Sequence, residues 1–154
     1  MAKRDPFTPK FPDGDPIARL NVHYFDPCQQ LLEDYERAKK LRTKKGGRTL
    51  KMDRRAKCYL VLWLASLFAV IEGFKLLKLT DSKIDAISAK HWDSLRRLRN
   101  GTFHFQPIHN KQSQFFTGNE SWIEWAKTLH ASLDDYFSEY RIDFVVKTLL
   151  AEYP

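Results

Sequence analysis

The stretch Cys58-Tyr-Leu-Val-Leu-Trp-Leu-Ala-Ser-Leu-Phe-Ala-Val-Ile71 decides the fold. It runs for 14 residues without a charge and meets Glu72 at once. A membrane span needs about 20 apolar residues, so the run predicts a helix buried in a protein core. Extended outward, that helix covers about Leu50 to Leu77. Its first half is basic. Its second half is apolar nearly all round, as in a helix covered on most sides. Gly73 marks either a weak point or a place of close packing, and Cys58 reads as a packing residue.

A helix so buried needs partners, and the flanking sequence supplies three. Before it, Leu31, Leu32, Tyr35, Ala38 and Leu41 recur at helical spacing, which predicts a helix from Pro27 to Lys45. Pro27 suits the first turn, and Gly46-Gly47 ends the helix. After it, Asp81 or Ser82 caps a helix with Ile84, Ile87, His91 or Trp92, Leu95 and Leu98 on one stripe. Pro107 closes this helix near residues 101–105. A polar loop follows. Then Ser121-x-x-Glu124, of capping-box form, opens a helix striped by Trp122, Trp125, Leu129, Leu133, Tyr136, Tyr140 and Phe144. The helical spacing of these aromatics points to a core or dimer interface. No segment alternates as a strand. The expected fold is all-α, a mostly antiparallel four-helix bundle over 27–154. Residues 1–26, with Pro6, Pro9, Pro12 and Pro16, read as an extended N-terminal arm.

The chain's 154 residues suit one domain. No signal peptide is visible, and two cysteines make no disulfide framework, so a cytoplasmic protein is expected. The net charge of +7 is uneven: residues 37–57 hold eleven Lys and Arg against Asp53 alone. Such a block is a solvated face or a seat for a polyanion or an acidic protein. It lacks the interleaved bulky apolar residues of a membrane-surface helix, so no membrane partner is expected.

The chemistry concentrates in Leu98-Arg99-Asn100-Gly101-Thr102-Phe103-His104-Phe105-Gln106-Pro107. Arginine is a permanent cation shaped for phosphate oxygens, and histidine moves protons near neutral pH. On an ideal helix, residues five apart point about 140° away from each other. Arg99 and His104 therefore need either an unwound helix end or a second chain across a two-fold axis. A plainer reading also fits. Arg99 joins Arg96 and Arg97 on a solvated helix end, and His104 is a C-cap histidine favoured by the helix dipole. Glu72, interrupting the apolar helix, is a candidate partner for Arg96, Arg97 or Arg99, or marks where that helix reaches solvent.

The motif Arg99-Asn100-Gly101-Thr102-Phe103-His104, late in the third major helix of a basic bundle, resembles that of the HEPN superfamily. These are small helical-bundle proteins of bacterial defence and toxin–antitoxin systems. The resemblance spans about residues 27–150. It implies metal-independent RNA cleavage by a homodimer, with Arg99 and His104 catalytic and Asn100 orienting His104 or the substrate. In a further reading the chain is the toxin half of a two-component pair, and its partner is an antitoxin protein. Glu72 would support the site. Lys44, Lys45, Arg48, Lys51, Arg54, Arg55 and Arg96 would contact RNA phosphates. A non-catalytic module of the same fold, binding RNA, a nucleotide or a partner, is the alternative. No cofactor is expected, and no metal: His91, His104 and His109 lack the carboxylate or cysteine company of a metal site. No P-loop and no Gly-x-Ser-x-Gly turn occurs.

Overall fold

A computed structural model of the chain describes residues 14–44, 50–104 and 120–152. Among the described residues every regular element is helical. The order is α1 (Pro16–Leu20), a π-helical turn (Asn21–Phe25), α2 (Asp26–Lys44), α3 (Leu50–Leu76), α4 (Ser82–Phe103) and α5 (Glu120–Glu152).

The first helical rod starts earlier than the sequence pattern suggests. Residues 16–26, expected in an extended arm, are helical, while 1–13 lie outside the described residues. Asp15 is the reason. Its carboxylate accepts from the backbone N–H of Ile17 at 2.9 Å and of Ala18 at 3.2 Å. Pro16 then takes the first-turn place that Pro27 was expected to hold. Pro27 instead lies inside the rod, where it lacks an N–H and its ring crowds the carbonyl four residues back. The wider π turn ends at Asp26, whose N–H reaches Asn21 O, and carries the rod past the proline.

α3 is the centre. Among the described residues it alone, over Arg54–Leu76, is long and apolar enough to cross a bilayer. Here Trp63, Leu64, Ala65, Leu67, Val70 and Ile71 are each 1% exposed or less. Burial of each large side chain is worth roughly 1.5–3 kcal/mol. Gly73 is a place of close packing: a methyl there would collide with Leu20. Cys58 corrects its reading, because it is exposed and packs nothing away from water.

Contacts with α3 order the bundle. Leu41 and Ala38 line one pocket with Arg55 and Tyr59. Tyr35 stacks on Trp63 with centroids 6.2 Å apart, and Leu20 lies against Gly73. One helix is thus read backward as the other is read forward, so α2 and α3 are antiparallel. The same holds for α2 and α5: Glu36 pairs with Lys127 at 2.6 Å and Asp26 with Arg141 at 3.8 Å, while Asp15 accepts from the Tyr140 hydroxyl. Phe68 on α3 meets both Trp92 and Arg99 of α4.

α4 is capped by Asp81, whose carboxylate accepts from Lys83 and Ile84 N–H at 2.9 and 2.8 Å. It kinks at His91, which has φ −131° and ψ 23°. The cause is visible: Trp125 Nε1 on α5 donates to Ile87 O at 2.9 Å, the carbonyl residue 91 would use in an unbroken helix. The aromatic stripe of α5 belongs to the core at Trp122, Trp125, Leu129 and Leu133, with Tyr136 half-buried.

Candidate functional site

The last two turns of α4 carry the residues singled out by chemistry. Leu95 and Leu98 are buried and lock the helix onto the core. That leaves Arg99 and Asn100 half-buried at its edge, and Phe103 and His104 exposed.

Arg99 is held from three sides. Its Nη1 donates to Asn100 Oδ1 at 3.0 Å. Its Nη2 lies 3.9 Å from Glu72 Oε2. Its guanidinium carbon sits 5.8 Å from the centroid of the Phe68 ring. Two of these contacts sharpen the sequence reading. Asn100 directs its carbonyl to Arg99. Glu72 does meet one of the proposed arginines, yet its side chain is 44% exposed, as expected where α3 reaches solvent. A half-exposed pair at 3.9 Å contributes little stability, and it leaves Arg99, itself 34% exposed, open to an incoming anion.

His104 is where the helix stops. Its backbone is extended, φ −123° and ψ 133°, and its N–H closes on Asn100 O at 2.9 Å. Gly101 does not unwind the turn, because the helix runs through Phe103. The break comes at the histidine itself. Thr102 Oγ1 donates to Leu98 O at 2.8 Å and stiffens the turn before it. Among the described residues the His104 imidazole has no hydrogen-bond or ion-pair partner. Arg99, Asn100 and Glu72 are therefore gathered, and His104 stands at the adjoining helix end.

The expected RNA contacts are spread more widely. Arg54 and Arg55 are exposed on α3. Arg55 donates to the Tyr59 hydroxyl at 3.2 Å and lies over that ring. Arg96 pairs with Asp93 at 3.1 Å, an exposed contact within α4. Only the backbone of Lys44 and Lys51 is described, and Lys45 and Arg48 lie outside the described residues. Among the described residues no three His, Cys, Asp or Glu side chains gather as metal ligands.

A second histidine, not singled out from the sequence, occupies the core. His130 on α5 is 5% exposed. Its Nδ1 accepts from Trp63 Nε1 at 3.2 Å, with Cys28 Sγ 3.8 Å away. The Phe25 ring covers it, centroids 5.0 Å apart. The indole is only a donor, so Nδ1 carries no proton and Nε2 does. Burial pushes the pKa of His130 from 6.5 down to about 4, against a smaller opposing pull from Asp134. The same burial pushes the Cys28 thiol well up. The signal for His130 was present in the sequence: Ala126, His130, Leu133 and Phe137 form their own helical stripe, all buried.

No family model, curated protein or solved structure matches this chain.

Proposed function

We propose that the chain is a metal-independent endoribonuclease of bacterial defence or toxin–antitoxin type, working as a cytoplasmic homodimer. The observation that carries this reading is the end of α4. A guanidinium braced by Asn100 and Glu72 is kept half-open, and an exposed histidine stands where the helix breaks.

The chemistry follows from those groups. A neutral His104 takes the proton of an RNA 2′-hydroxyl, and the freed oxygen attacks the adjoining phosphorus. The bond to the 5′-oxygen breaks, and a second, protonated His104 returns a proton to that oxygen. Arg99 holds the non-bridging oxygens and offsets the charge that builds on them. The products are a 2′,3′-cyclic phosphate and a 5′-hydroxyl. Two histidines with opposite protonation states require two chains, which is why a two-fold dimer belongs to the proposal.

The test is incubation of purified protein with RNA in excess EDTA, beside His104→Ala and Arg99→Ala. Cleavage that persists in EDTA and is lost in both variants supports the enzyme. Equal cleavage by all three overturns it, and a strict monomer that cleaves overturns the two-chain site.

One observation favours a second reading. Arg99 is partly neutralised by Glu72 and bound by its own neighbour Asn100, contacts that also suit an arginine whose role is to finish a helix. In that reading the chain is a non-catalytic bundle that binds RNA, a nucleotide or a partner. Binding without cleavage would favour it.

A further inference from the structure

A small pocket lies between the C-terminal half of α2 and the N-terminal half of α3, away from the end of α4. Asp34, Arg37, Ala38, Leu41, Arg55 and Tyr59 line it, and its volume is about 110 Å³. We propose that this pocket seats one phosphate of an RNA strand and anchors the strand beside, rather than at, the cleavage site. The proposal rests on the RNA-binding reading above.

The donors carry the argument. Two guanidinium groups from two helices border one space. Arg37 is held at one side only: its Nη1 contacts Asp34 Oδ1 at 3.0 Å, and its side chain is 65% exposed. Arg55 Nη2 donates to the Tyr59 oxygen at 3.2 Å. That contact engages the oxygen as an acceptor and leaves the hydroxyl proton for another group. The pocket thus presents guanidinium N–H groups and a phenolic O–H, with Ala38 and Leu41 as an apolar floor. This donor set fits phosphate oxygens. Asp34 leaves the lining at one net positive charge, and Arg37 and Arg55 belong to residues 37–57, where eleven basic residues oppose Asp53 alone.

Size selects the kind of ligand. Small-molecule sites run to roughly 300–1,000 Å³, so this pocket holds a group of a larger molecule rather than a whole nucleotide. The Tyr59 ring is faced by Arg55 at 5.5 Å, which disfavours base stacking there. What fits is a backbone phosphate, read without regard to sequence. Tyr59 and Glu72 are 13 residues apart on α3, or about 20 Å along its axis. A strand seated here would reach the end of α4 only after a few nucleotides.

The experiment uses a labelled single-stranded RNA with 2′-O-methyl sugars, which binds but cannot be cut, titrated with the full chain at several salt concentrations. Arg37→Gln with Arg55→Gln should weaken binding at least tenfold and lower the slope of log affinity against log salt by about 0.7. Tyr59→Phe removes one donor without changing charge, so it should weaken binding a few-fold at unchanged slope. Arg19→Gln, an exposed cation on α1, is the charge control and should change little. Circular dichroism checks that each variant is folded. If Tyr59→Phe binds like the parent and the arginine pair loses no more than Arg19→Gln does, the pocket is overturned while RNA binding stands. If the parent binds no RNA, both readings fall. Tighter binding to phosphatidylserine vesicles than to RNA would overturn the assignment to nucleic acid.

Discussion

His104 and His130 carry the same side chain and meet opposite surroundings. His130 is enclosed by Phe25, Trp63 and Cys28, with its Nδ1 occupied by an indole donor. It is neutral, fixed in one tautomer and buried. His104 is exposed at a helix end. A core histidine serves as a hydrogen-bond acceptor that aligns two helices. An exposed histidine at a helix end is open to a substrate. The lesson is that proton transfer requires access as much as it requires an imidazole.

The strongest way to break this contrast is His104→Ala. Loss of a general acid or base should lower RNA cleavage by about 10²–10⁴-fold, with a melting temperature near that of the parent. Arg99→Ala should fall in a similar range. Cleavage retained in either, measured by release of 2′,3′-cyclic phosphate ends, removes the α4 site from consideration.

The next effect belongs to His130 and is one of stability. The unfolded chain binds the imidazole proton near pH 6.5, the folded chain only near pH 4. Between those values the unfolded state holds more protons. Stability is therefore full above about pH 6.5 and declines as the pH falls toward 4, by at most about 3 kcal/mol. Urea unfolding at pH 7 and pH 4.5 measures this. His130→Gln, which keeps an acceptor for Trp63, should flatten the dependence. His91, also shifted down by burial, should leave a smaller slope of the same sign. An unchanged pH dependence in His130→Gln would contradict the buried, neutral assignment.

Gly73→Ala comes next. Its methyl must displace Leu20, which is 5% exposed, so the variant should lose about 1–3 kcal/mol in denaturant unfolding. The smallest effect is expected at Glu72. Glu72→Gln removes an ion pair that is long and half in water, so stability should change by less than about 1 kcal/mol. Cleavage should change only a few-fold. A large loss of cleavage would promote Glu72 to an essential positioner of Arg99.

Much of this was legible along the chain. The stripes at Ile84–Leu98 and Trp122–Leu133 specify helices, because only a helix places those positions on one side, and the length of the unbroken apolar run of α3 marks a helix buried on most sides. The start of the rod at Pro16 was misread, because two prolines compete for the first-turn position and only Asp15 capping decides between them. Cys58 is exposed although it opens the apolar run, because apolar content marks a helix as buried without saying where along its length burial begins. Around the site, residue types suggested Arg99, Asn100 and His104. Their division into a braced arginine and a separate helix-ending histidine depended on how α4 meets α3.

By itself the sequence determined the four main helices and the basic block, since each follows from local spacing and charge. Only the tertiary structure decided the rest. Glu72 reaches Arg99, Trp125 bends α4 at His91, and Arg37 shares a pocket with Arg55 and Tyr59 of another helix. It also decided that His130 is buried and His104 exposed. The physical reason is that exposure and partnership belong to packed surfaces, and packing joins residues that the chain order keeps apart.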